Sequence, residues 1–169
     1  MRHPILRLGD EGLRRPTRPV TVFDASLHAL VDDMIETMHA APGIGLAAPQ
    51  IGLDLQTCVI DLSVGASHAD LIVLANPHFV ERRGMQLESE GCLSVPTFYA
   101  TVARASEVVV RGQDRDGVWR TYDGSGLLAR AFQHELDHLR GRLFVDRLQG
   151  LQRRLLLGRI TRLRAKGRW

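Results

Sequence analysis

Leu127-Leu128-Ala129-Arg130-Ala131-Phe132-Gln133-His134-Glu135-Leu136-Asp137-His138-Leu139 reads as one helix under two opposing demands. Leu127, Leu128, Ala131, Phe132, Leu136 and Leu139 cover more than half of its circumference, which predicts a helix largely buried rather than lying on the surface. Within that apolar coat stand His134 and His138, four residues apart and therefore stacked on one face, with Glu135 directly after the first. Burying such a group is costly unless something binds it, and a metal meets that need. Both imidazoles reach a single ion while Glu135 sits beside it as a proton carrier, which is hydrolytic chemistry within five residues. The alternative is a surface helix turn of alternating charge.

Outward from this helix, residues 107–111 and 118–122 read as strands joined by the hairpin-turn signal Asp114-Arg115-Asp116-Gly117. Residues 55–62 and 71–75 are two further short runs rich in Val, Ile and Leu. Asp123-Gly124-Ser125-Gly126 breaks the strand pattern and opens the histidine helix, which is expected to run to Arg140-Gly141. Nearer the start, Leu27, Leu30, Val31, Met34, Ile35 and Met38 follow the three-and-four spacing of a buried stripe. Asp24 and Ser26 supply its caps, and Ala41-Pro42-Gly43 its stop. A last helix, at about residues 148–166, carries Leu148, Leu151, Leu155, Leu156, Ile160 and Leu163 as its stripe, with arginines mostly opposite. The expected fold class is α+β: mixed, mainly antiparallel β-sheets packed around a buried central helix carrying the two histidines, with an N-terminal helix and a C-terminal helix. Without internal repeats or a linker, residues 1–169 are expected to form a single domain that includes the basic C-terminal helix.

The chain holds 22 basic and 19 acidic residues, a net charge of +3, but the distribution is uneven. Arg153, Arg154, Arg159, Arg162, Arg164, Lys166 and Arg168 crowd the end, leaving 15 basic against 19 acidic residues elsewhere, and no acidic residue follows Asp146. A basic tail on a mildly acidic body suggests a polyanionic partner; an arginine-rich genome accounts for it equally well. No apolar run is long enough to cross a bilayer, and the opening segment lacks the apolar core of a signal peptide, so no membrane partner and a cytoplasmic location are expected. Two cysteines argue against a disulfide framework, and Cys58, within Thr57-Cys58-Val59-Ile60, reads as a small buried thiol.

Two histidines leave a catalytic metal one protein ligand short, and the zinc proteases built on this pentad take it from a Glu or His further along. Here no histidine follows His138, and Asp146 is the only carboxylate after Asp137. Upstream, Glu90-Gly91-Cys92-Leu93-Ser94 offers a thiolate, a strong ligand for a borderline divalent ion, although Cys92 taken alone reads better as a buried inert thiol.

Gly43-Ile44-Gly45-Leu46-Ala47-Ala48-Pro49-Gln50, then Glu90-Gly91-Cys92-Leu93-Ser94, then Gln133-His134-Glu135-Leu136-Asp137-His138 resemble the three ordered motifs of peptide deformylase. That family removes the formyl group from the N-terminal formylmethionine of new polypeptides. The resemblance implies Cys92, His134 and His138 as metal ligands, Glu135 as general base and acid, and the Gln50 side chain with the Leu93 backbone N–H on the oxyanion. The implied cofactor is one divalent metal ion, ferrous iron (Fe2+) natively, with Zn2+, Ni2+ or Co2+ able to take the site; the residues themselves do not choose, since Cys-His-His suits iron and zinc alike. The implied partners are formylmethionyl nascent peptides and the ribosome, whose rRNA would suit the basic C-terminal helix, and a monomer is expected.

Hydrolysis of a formamide, a poor electrophile with a poor leaving group, requires an activated water, a stabilised oxyanion and a proton for nitrogen, which these residues supply between them. Gly43 and Gly45 let this segment lie close beside a substrate like an added strand, with Gly45 holding the first peptide unit. Ile44, Leu127 and Ala131 are candidates for a methionine pocket because Leu127 and Ala131 share the face of the two histidines; plain core is the alternative. Tyr99 stands where many relatives have arginine, removing a charge expected to support Glu90 and the cysteine loop. Ala103 replaces a common proline and Arg130 an aliphatic residue, and these changes bear on pocket shape and peptide preference. Two other readings compete: a zinc peptidase with its third ligand downstream, and a basic nucleic-acid-binding domain with a structural metal, which the lack of aromatic residues interleaved in the basic helix weakens.

Overall fold

The computed structural model describes residues 1–67 and 70–169. In chain order these form α1 (Ala25–Ala40), β1 (Gly45–Ala47), β2 (Thr57–Ile60), β3 (Ile72–Arg83), β4 (Gln86–Cys92), β5 (Val95–Arg104), β6 (Glu107–Gln113), β7 (Trp119–Ser125), α2 (Gly126–His138) and α3 (Gly150–Ala165), with short 3-10 turns between them. The Asp24 carboxylate accepts from the N–H groups of Ser26 and Leu27 at 3.0 and 3.1 Å and so caps the first turn of α1. Gly43 N–H then bonds back to the Met38 carbonyl, closing the helix and sending the chain into β1.

A five-stranded antiparallel sheet runs in the order β1-β2-β3-β6-β7. Strand alternation assigns its two faces to two helices. Leu46 and Val59 pack with Val31, Met34 and Met38 of α1, whereas Ala47, Cys58 and Ile60 pack with Phe132 and Leu136 of α2. The β1–β2 end of the sheet is thus buried on both sides, and each large side chain closed in this way stabilises the fold by about 1.5–3 kcal/mol. The hairpin β4–β5 stands apart from this sheet. Its Val95, Ala100 and Val102 share a second core with Phe144, Leu156 and Ile160.

Expectation and structure differ in several places, the first being that β3 runs on past residue 75 to Arg83. Asp123, Gly124 and Ser125 do not break the strand but extend β7, paired with Val109, Val108 and Glu107, because glycine fits where Phe132 presses on the backbone. The β4–β5 hairpin pairs along its whole length, although beyond the short strand-like segment at Glu90–Ser94 the sequence does not predict it: the Gln, Glu, Ser and Gly residues of β4 carry no apolar alternation. The apolar stripe of the last helix is narrower than expected: Leu148 precedes α3, Leu156 and Ile160 are buried, and Leu151 and Leu155 are 62% and 59% exposed. Successive helical residues lie about 100° apart, so Leu155 and Leu156 cannot both face the body. Trp169 closes the end of the chain by donating from Nε1 to the Leu8 carbonyl at 2.9 Å. Among the described residues no helix is long and apolar enough to cross a membrane.

This geometry separates two neighbouring leucines. Leu156→Ala is expected to lower stability by about 2–5 kcal/mol, and Leu155→Ala to change it by no more than about 0.5 kcal/mol, as read by urea denaturation. Equal losses would mean that α3 docks through another face.

Candidate metal centre

Three elements bring the centre together. In the β4–β5 hairpin the register shifts so that Gly91 faces Tyr99 while Cys92 faces Val95, which places Cys92 at the head of a tight turn through Leu93 and Ser94. Cys92 Sγ lies 3.2 Å from His138 Nε2, and that nitrogen lies 3.2 Å from His134 Nε2. The three donor atoms all fall within 4.8 Å of one another. One sulfur and two imidazole nitrogens converging in a buried site fit a borderline divalent ion such as iron or zinc. Asp146, the one carboxylate downstream of the pentad, is instead paired with Arg14, which removes the third ligand that a zinc-peptidase reading needs.

The far side of His134 is equally determined. Its Nδ1 lies 2.6 Å from Glu90 Oε1, so Nδ1–H donates to the carboxylate and Nε2 faces the cluster. Burial lowers the imidazole, but Cys92 and Glu90 outweigh it and raise it well above its usual range, and a metal would take the place of the proton on Nε2. Burial alone would favour a protonated Glu90, but hydrogen bonds from His134 and Arg104 outweigh it and hold the carboxyl well below the usual range. Arg104 pairs with both Glu90 oxygens, and Arg130 adds a bond of 2.8 Å from NH1. The positive charge expected to be missing at Tyr99 is therefore supplied by Arg104 and Arg130. Tyr99 itself is exposed, its ring lying over Gly91, and Ala103 is exposed on β5 outside the cavity.

Glu135 follows His134 on α2 and is 3% exposed; burial pushes its carboxyl up to about 7. Its Oε2 has no hydrogen-bond partner among the described residues. The carboxylate lies so close to Gly45 that a Cβ there would collide with it, which gives that glycine a reason independent of any substrate. Gln50, in the 3-10 turn Ala48–Ile51, is held at both ends of its amide. Oε1 accepts from Ala47 N–H at 2.8 Å, and Nε2 donates to Ser94 Oγ at 3.2 Å while lying 3.6 Å from Cys92 Sγ.

A cavity of about 860 Å³ opens over these groups. Gly43, Ile44, Gly45, Leu93, Leu127 and Ala131 all line it, so the residues singled out from the sequence are brought to one place. Leu127 keeps 54% exposure and belongs to the cavity wall rather than the core. Leu93 also packs against Gly43, where a Cβ would meet its Cδ1 at 2.7 Å. Sequence reasoning gave no role to Arg104, Asp137 or Arg147, which form ion pairs behind the site. The one available signal was Glu90, an acid two residues before a candidate ligand and in need of a cation.

The chain matches the model of the polypeptide deformylase family over residues 2–154. It is 50% identical over 169 residues to the peptide deformylase of Acidobacterium capsulatum, covering 100% of this chain and 99% of that one. Among solved structures, a peptide deformylase from Legionella pneumophila superposes with a TM-score of 0.90 at 46% identity, covering 98% of each chain. A peptide deformylase from Synechococcus elongatus, solved in complex with actinonin, gives 0.88 at 42% identity over 98% of this chain and 88% of that one.

The buried carboxyl of Glu135 makes stability depend on pH in the metal-free protein. Its folded value of about 7 lies above the 4.5 of an ordinary glutamate, so its contribution is fully present below about pH 4.5 and is lost as the pH rises through 7. The span corresponds to about 3 kcal/mol. Between pH 5 and 7.5 the parent should lose more stability in urea denaturation than Glu135→Gln, the difference separating this contribution from those of His134, raised, and His138, lowered. Identical pH slopes in the two proteins would exclude the assignment.

Proposed function

Because the chain belongs to the polypeptide deformylase family, we propose that Cys92, His134 and His138 hold a divalent metal ion and that Glu135 carries the proton in its reaction, the removal of the formyl group from the N-terminal methionine of nascent polypeptides. The observation that carries this assignment is the convergence of three donor atoms beside a buried, partnerless carboxylate oxygen at the floor of an open cavity. When bound, the metal supplies a Lewis-acid centre that acidifies water and polarises the formyl group.

Glu135, ionised as the pH approaches 7, accepts the proton of the attacking water and returns it to the departing amine nitrogen. Gln50 Nε2 is preset by the bonds at both ends of its amide to donate to the negative charge developing on the formyl oxygen, with the Leu93 backbone N–H as the second donor. Losing one such donor typically costs about 3 kcal/mol in the barrier. β1 is an edge strand and β4 belongs to a two-stranded hairpin, and both border the cavity. An extended peptide enters between these edges beside Gly43 and Gly45 and sends its methionine side chain among Ile44, Leu127 and Ala131.

Ferrous iron is our reading of the native metal on the strength of the family resemblance; the mixed sulfur and imidazole donor set accepts it and zinc alike, with nickel and cobalt as further occupants. Residues 1–169 are read as one catalytic domain, acting as a monomer in the cytoplasm where nascent chains emerge. Docking on the ribosome is assigned to α3, whose exposed Leu151 and Leu155 lie among arginines with no acidic residue on the helix. Deleting α3 is a poor test because it strips Leu156 and Ile160 from the core.

Metal-replete protein should release formate from formyl-Met-Ala-Ser, and Glu135→Ala with equal metal content should do so about 10^2 to 10^4 times more slowly. Full turnover by that variant would sink the role of Glu135. Cys92→Ala should lose the metal; retention at parent affinity would remove Cys92 from the ligand set. Replacing the exposed Arg154, Arg162 and Lys166 by glutamine should weaken ribosome association and flatten its salt dependence by up to about three charges. Turnover of the short peptide should be left unchanged, and unaltered ribosome binding would count against α3.

A further inference from the structure

Behind the proposed ligands runs a continuous line of ion pairs that reaches the surface. His134 Nδ1 lies 2.6 Å from Glu90 Oε1, Arg104 bridges Glu90 to Asp137, and Arg147 closes on Asp137. Arg104 is fully buried and divided between two carboxylates: Nε and NH2 go to Glu90, and NH1 goes to Asp137 Oδ2. Asp137 is 4% exposed and also receives Arg147, from Nε to Oδ2 at 2.6 Å and from NH2 to Oδ1 at 2.7 Å. Oδ1 therefore depends on Arg147, whereas Oδ2 is served by both arginines. Arg147 is exposed and sits at the end of the 3-10 turn Phe144–Arg147, just before α3.

Two buried carboxylates that share one guanidinium compete for it. We propose that Arg147 is a positioning residue for the metal centre: by satisfying Asp137, it leaves Arg104 seated on Glu90 and so holds the His134 imidazole in its working orientation. Without Arg147, Asp137 Oδ1 is left as a buried acceptor with no partner and draws Arg104 NH2 across from Glu90 Oε1. That oxygen is the one His134 Nδ1 leans on. A carboxylate bonded directly to a ligand histidine, as Glu90 is, orients the ring, and its loss commonly weakens metal binding about 10–100-fold; Arg147 acts on that carboxylate through Asp137 and Arg104. The inference rests on the assignment of Cys92, His134 and His138 as ligands and adds a residue that touches neither metal nor substrate.

The test uses the cobalt(II) form of the full chain, whose thiolate-to-metal absorption reports Cys92 and whose release into excess chelator reports affinity. Arg147→Met should release cobalt at least about 10-fold faster than the parent, with Arg147→Lys intermediate because an ammonium serves only one carboxylate oxygen well. Adding Asp137→Asn removes the charge that pulls on Arg104, so the double variant should return to within about 3-fold of the parent rate. A merely structural role for Arg147 would lower the melting temperature of the metal-free protein without changing cobalt release. Parent-like release from folded Arg147→Met, or a defect that Asp137→Asn does not relieve, overturns the inference. A parent that binds cobalt without the thiolate band overturns the ligand assignment and the inference with it.

Discussion

Arg104, held between Glu90 and Asp137, is the joint on which the centre depends. The β4–β5 hairpin makes no ladder with the five-stranded sheet, and its attachment to α2 at this point is ionic rather than apolar. Glu90 comes from β4, Arg104 from β5, and Arg130, His134 and Asp137 from α2. The one contact set therefore fixes where β4 ends relative to the helix, and Cys92 is the last residue of β4. Burying each of these ions costs several kcal/mol, and their attraction offsets that only when the remaining lone pairs and protons are also satisfied. The Arg130 bond to the Val102 carbonyl and the paired bonds from Arg147 do much of that satisfying. A well-packed apolar joint would serve stability at least as well. What it could not do is place a carboxylate against His134 Nδ1 and so dictate which nitrogen faces the other two donors.

The opposite side of α2 is built on ordinary packing, and it too reaches the chemistry. Phe132 and Leu136 press the helix onto Ala47, Cys58 and Ile60, while α1 closes the other face of the same strands. Held from both sides, β1 has no freedom to retreat, and Gly45 meets the Glu135 carboxylate at a distance that no side chain tolerates. Cys58 belongs to this wall: burial pushes its thiol well up, and it acts as a small apolar filler. The apolar core and the ion-pair joint thus grip one helix from two sides, one setting Glu135 against β1 and the other setting His134 against β4.

Those parts of the fold with a strong period were legible from residues alone. The α1 stripe with its Asp24 cap, the turn at Asp114–Gly117 and the burial of the histidine helix each follow from local pattern. The family motifs named Cys92 as the third donor, which the residues themselves left undecided between ligand and inert thiol. The long-range partners could not be read in this way. Arg104 and Arg147 are two among 22 basic residues, and nothing in their neighbourhood in the chain marks them as buried or paired. Their roles come from β5 crossing α2 and from the turn after α2 folding back on Asp137, which are facts of tertiary geometry. The over-wide stripe on α3 fails for a related reason: leucines on a helix mark where apolar contact is available, and only the docked orientation decides which of them use it.

Glu135 shows how the two grips combine. A carboxyl at the ordinary glutamate value would be ionised at neutral pH but a feeble base, and one raised by several more units would hold its proton and accept none. Burial against β1 and the apolar face of α2 raises it to about 7, with the charge on His134 pulling the other way. A dication bound by His134 would take the place of that proton's charge. The value is therefore a balance between a wall that excludes water and the charges of His134 and Arg104, and it suits the proton-carrying role proposed for Glu135. The glycine at position 45 is part of that balance. By letting backbone rather than a side chain lie against the carboxylate, it brings the wall close enough to desolvate Glu135 while leaving room above it for the reacting carbon.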